Sequence, residues 1–262
     1  MRILSVNINN NYNFKARRKD VREADKIVRN VNLQFPAFSP TYVKYFWHPI
    51  NDKKFQIIKN PIDRIDNLRN RIESEREEDK FVLGIFDEIK KNKTANCEEK
   101  SWLTLGALGA NGYNSAIKSA VGLKWSVIDK RDKKTILEGK EDLDHSVIVA
   151  RMTDKKNVKP QDLVVLDPWL NKAMSYSEAQ REYFKLFNKE KTAKIQKKFL
   201  EKIKEENPDG NYDISNYKFI LNIIFFDHSS YRYNVRNKED VEEFGEIVAQ
   251  KYPELILDKK DN

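Results

Sequence analysis

The 262-residue chain has one cysteine, three histidines, eight glycines and eight prolines. A single thiol cannot form an internal disulfide, and it excludes a zinc centre built on two or more thiolates. No apolar run approaches the roughly 18 residues of a transmembrane helix. The start, Met1-Arg2-Ile3-Leu4-Ser5-Val6-Asn7, breaks its short apolar stretch at an Asn-rich segment, so neither a signal peptide nor a membrane span is expected. With so little cysteine, the expected setting is a reducing compartment. His48 and His228 have no partners at metal-ligand spacing, and neither a metal nor another cofactor is expected.

Charge is plentiful. Charged residues make up 34% of the chain, the formal net charge is +8 and the pI is about 9.2. Lys outnumbers Arg 35 to 14 and Asn reaches 25, a bias that AAA and AAT codons produce. The basic residues are interleaved with Glu and Asp, so they describe a solvated surface, and nucleic acid is not expected as a partner. Aromatics at 11%, with four Trp, exclude a disordered chain.

Hydrophobic spacing predicts a helix near Asp20–Asn30 and another carrying Ile62, Ile65, Leu68 and Ile72 after the Asn60-Pro61 cap. A third starts near Lys80. Asn96 then caps a helix that begins at Cys97, carries Glu98 and Glu99 in its first turn and ends among Gly106, Gly109 and Gly112. Strands follow at 122–130, at 135–137 beyond an Asp129–Lys133 turn, at 145–152 and at 163–166, where Asp167-Pro168 stops the ladder. Ser175-Tyr176-Ser177-Glu178 fits a capping box for a long helix over 177–204. An apolar strand over 217–226 and a closing helix over 237–252 complete an α+β chain. The pattern suggests a mostly helical N-terminal extension, 1–79, ahead of a main domain, 80–262, with helical and strand additions at its C-terminal end.

Three residues combine chemistry with position. A thiol at a helix start, Cys97, faces the positive end of the helix dipole, which favours the reactive thiolate. His145, at a strand start, can accept and return a proton. Asp167, held before a stiff proline, can fix the imidazole tautomer. Asp144 is nearer in sequence, but neighbours on a strand point to opposite faces, whereas antiparallel pairing of the two strands would bring His145 and Asp167 together.

Asn96-Cys97-Glu98-Glu99-Lys100-Ser101-Trp102-Leu103, Asp144-His145-Ser146-Val147 and Val165-Leu166-Asp167-Pro168-Trp169, in that order, resemble the core of papain-like and transglutaminase-like thiol enzymes. Within that group they most resemble bacterial effector cysteine proteases and glutamine deamidases. The resemblance spans about 75 residues. It implies a nucleophile-bearing helix packed on an antiparallel sheet, a Cys97-His145-Asp167 triad, a protein substrate from a host cell, and either cytoplasmic residence or delivery into that cell without a cleavable signal. The family's glutamine six residues before the nucleophile is Lys91 here, so Asn92 and Asn96 are candidate amide donors to the substrate oxygen. Trp169 is a further candidate substrate contact. A non-catalytic interaction module, docking through Lys15-Ala16-Arg17-Arg18-Lys19 or the long helix, and an arylamine-type acyltransferase are the alternatives.

Overall fold

The computed structural model describes residues 18–37, 39, 63, 78–153, 162–206, 213–227 and 238–257. The helix expected to carry Ile62, Ile65, Leu68 and Ile72 lies outside them except for residue 63, and so does the basic segment 15–17. The described helices are α1 (Arg18–Gln34), α2 (Glu78–Asn92), α3 (Cys97–Ala110), α4 (Tyr176–Glu206) and α5 (Lys238–Lys251). The strands are β1 (Ala116–Asp129), β2 (Thr135–Arg151), β3 (Leu163–Asp167), β4 (Lys172–Ser175) and β5 (Tyr217–Asp227). They form one antiparallel sheet in the order β4-β3-β2-β1-β5. The α+β class is as the sequence implied. No helix among the described residues is long and apolar enough to cross a membrane.

Strand alternation divides the apolar residues into two cores. Ile148, Ala150, Val164, Leu166 and Ala173 face α1, α2, α3 and α5. Their neighbours Val147, Val149, Val165 and Met174 point the other way, toward the apolar side of α4. Two positions are lengthened relative to expectation. β1 starts at Ala116, and β2 is a single 17-residue strand whose first half carries Glu138, Glu141 and Asp142. Those carboxylates hide a strict alternation in which Leu137 and Leu143 still face the α4 core. β4 has only four residues, too few for a sequence pattern.

α1 packs into the core that surrounds α3. Ala24, Ile27, Val28 and Val31 recur at helical spacing and enter the same core as Leu103 and Leu105 of α3, so a division at residue 79 would cut through one hydrophobic core.

α3 is buried on every side: all residues from Glu99 to Leu108 are buried. Such a helix needs close neighbours, and its glycines admit them. A Cβ placed on Gly245 of α5 would fall on the backbone of Gly109, and one on Gly106 would come within 2.8 Å of a Val248 methyl. Gly245→Ala must therefore push α5 away from α3. We expect it to cost about 1–3 kcal/mol, seen as a lower urea midpoint with an unchanged denaturant slope; an unaltered midpoint would show that the two helices do not set each other's position.

Candidate active site

Asn96 takes extended backbone angles and caps α3, while the Glu99 carboxylate accepts the Asn96 backbone N–H at 2.9 Å. This capping box fixes where the helix begins, and Cys97 is its first residue, half-buried. One turn on, the Ser101 hydroxyl donates to the Ser146 carbonyl at 3.0 Å, fastening α3 to β2 beside His145.

His145 sits in an irregularity of β2. Ala120 and Gly122 of β1 pair with Ser146 and Asp142, so Leu143, Asp144 and His145 together oppose Val121. Asp144 has a φ of 53°, in the left-handed region that aspartate tolerates, and its backbone N–H donates to the Asp142 carboxylate at 2.8 Å. Asp144 itself is exposed, while His145 is buried. The two extra residues preserve strand parity, leaving His145 on the same face as Val147 and Val149.

Asp167 ends β3 and is fully buried. Its Oδ1 accepts the backbone N–H groups of Trp169 at 2.9 Å and Leu170 at 3.0 Å. Its Oδ2 takes His145 Nε2 at 2.8 Å and the Tyr183 hydroxyl at 2.6 Å. Cys97 lies close enough to the imidazole to act on its protonation. His145 and Asp167 thus meet directly, with Cys97 near enough to influence the imidazole.

Burial alone would depress the pKa of His145, but the Asp167 charge, the hydrogen bond to it and the contact with Cys97 outweigh that effect and push it up to about 10. Burial would conversely raise Asp167; the facing imidazole, the Tyr183 hydroxyl and the Leu170 N–H hold it below the usual carboxylate range instead. Burial and the Asp167 charge both raise Tyr183 well above the ordinary phenol value. At neutral pH the cluster is an imidazolium facing a carboxylate, with Tyr183 a neutral donor.

The other candidates occupy different places. The Trp169 ring is buried, 4.9 Å from the His145 ring between centroids, and its indole N–H donates to Ser39 Oγ at 3.0 Å. Ser39 in turn donates to Asn96 Oδ1 at 3.5 Å, linking the residue before Cys97 to the turn after Asp167. Asn92, at the end of α2, gives an amide hydrogen to Glu88 one turn back. Among the described residues no group of three or more His, Cys, Asp or Glu could hold a metal.

Tyr183 and Ser39 are members of the cluster that sequence patterning did not single out. Tyr183 lies in the apolar stripe of α4, where the available signal was a phenol whose hydroxyl must find an acceptor once buried. Ser39 lies in a Pro-rich stretch with no periodic signal.

Because the folded His145 pKa of about 10 exceeds the ordinary histidine value of 6.5, its contribution to stability is complete below about pH 6.5 and is lost as pH rises through about 10. Asp167 acts oppositely: its contribution is complete above about 3.8 and is lost as pH falls through its lowered value. We expect the urea midpoint to fall across the alkaline window, and His145→Gln to flatten that fall; equal slopes in both proteins would remove the pair as its source. Compared with models of protein families, with curated proteins and with solved structures, the chain finds no match in any of the three, so its chemistry is argued from this geometry.

Proposed function

We propose that the chain is a cysteine-dependent amidase acting on a protein, built on a papain-like or transglutaminase-like core. The observation carrying this reading is the buried imidazole hydrogen-bonded to Asp167, with Cys97 at the start of α3 close enough to help raise its pKa. Nε2 is committed to the carboxylate, so Nδ1 is the nitrogen that serves the sulfur. Asp167 orients the ring and stabilises its cationic form.

In the proposed reaction, Cys97 attacks as the thiolate, opposite a His145 imidazolium that already carries the proton on Nδ1, and Sγ bonds to the amide carbonyl carbon as the carbonyl π pair moves to oxygen. The backbone N–H of Cys97, at a helix start and aimed outward, helps hold the developing oxyanion, and Asn96 is the nearer candidate for a second donor. Collapse breaks the carbon–nitrogen bond, and His145 returns the proton to the departing amine, leaving a thioester. Water then adds with His145 as base, and Cys97 departs as the carboxylic acid forms. A glutamine side chain would lose ammonia and become glutamate; a main-chain amide would be cleaved; an amine in place of water would be joined to the acyl group. All share the same thioester.

The effector resemblance supports a host-cell protein as substrate, with the enzyme working inside that cell. Mass spectrometry after brief treatment with iodoacetamide near neutral pH checks the proposal. Cys97 should be modified rapidly, and His145→Ala should slow modification by about 100-fold or more, the scale of a lost proton-transfer group. An unreactive thiol in the folded protein would sink the amidase and favour an interaction module. Thermal stabilisation by acetyl-CoA would instead indicate an acyltransferase.

A further inference from the structure

Lys100 occupies the first turn of α3, one turn after Cys97, and is only 8% exposed. A buried ammonium is costly unless it is hydrogen-bonded and paired. Its Nζ donates to Asn32 Oδ1 of α1 at 3.0 Å. The Asn32 amide nitrogen donates in turn to the Pro168 carbonyl and to Asn171 Oδ1, both at 2.9 Å. The ammonium can only donate and the two oxygens only accept from Asn32, so the orientation of the amide is fixed by its partners.

Pro168 and Asn171 bracket Trp169 and Leu170, whose backbone N–H groups hold Asp167 Oδ1. Asn171 has a φ of 55°, a conformation that a side-chain bond helps to retain. One amide from α1 therefore joins the start of the Cys97 helix to the turn that aims the Asp167 carboxylate. Resting on the amidase reading, we propose that Asn32 and Lys100 are a positioning pair that sets Asp167, and through it His145, against Cys97. The charge on Lys100 also lies within the electrostatic reach of Asp167.

Asn32→Leu alone would leave a buried ammonium without its acceptor and is expected to destabilise the fold. The informative variant is Asn32→Leu with Lys100→Met, which exchanges both polar groups for apolar ones of similar size, a change buried pairs often tolerate. Thermal melting should show it folded. Its Cys97 alkylation rate should fall about tenfold to a hundredfold, as misplaced reacting groups typically do. In NMR titration the His145 midpoint should move down, because a loosened carboxylate holds the imidazolium less well. Removing the Lys100 charge by itself would move that midpoint up, so a downward shift separates positioning from simple electrostatics. A folded variant with unchanged alkylation and an unchanged or raised His145 midpoint overturns the positioning role. An unreactive Cys97 in the wild-type protein would count against the amidase reading, while the His145 midpoint still judges the pair.

Discussion

The Asp167 carboxylate is the anion around which the site is organised. It is fully buried, and an uncompensated buried charge would cost several kcal/mol. Four donors compensate it: the His145 ring from β2, the Tyr183 hydroxyl from α4 and two backbone N–H groups from its own turn. Each donor must approach from its own direction, so satisfying the charge fixes β2, the end of β3 and the first turns of α4 relative to one another. Removing any one partner leaves a charge or polar atom buried without full compensation, which makes the network demanding of geometry.

Two backbone features accompany this demand. Asp144 and Asn171, both at positive φ, flank the residues that touch the carboxylate and belong to the residue types that adopt such angles at least expense. The β2 irregularity at 143–145 places His145 beside α3 while keeping it on the α4 side of the sheet. Around it the sheet is regular and packed on both faces, so the irregular segment is held between rigid elements.

The parts of this arrangement legible in sequence are those with a local cause. The Asn96 cap and the acidic first turn announce α3, and Pro168 announces the end of β3, so Cys97 and Asp167 are located by residues next to them. Strand parity correctly selected Asp167 over Asp144 as the partner of His145. The packing of α1 is not legible, because it joins the core through contacts with elements far along the chain and a helical stripe does not say what it packs against. Tyr183 belongs to the buried stripe of α4, and its second role depends on where α4 crosses the end of β3, a tertiary fact. The chain from Trp169 through Ser39 to Asn96 is hidden for the same reason, since its members are far apart in sequence.

The two cores explain why the site forms where it does. α3 belongs to one face of the sheet, whereas His145, Asp167 and Tyr183 are gathered on the other. A thiol and an imidazole on opposite faces can meet only where the sheet is interrupted. β3 pairs with β2 from Ile148 to Arg151 and no further, so beside His145 and Ser146 the strand has lost that neighbour. Pro168 enforces the interruption, since it has no N–H to continue the ladder. The Ser101 hydroxyl engages the Ser146 carbonyl in this gap, bringing the start of α3 to the imidazole. The residue that terminates the strand thus also opens the passage through which the two halves of the cluster make contact.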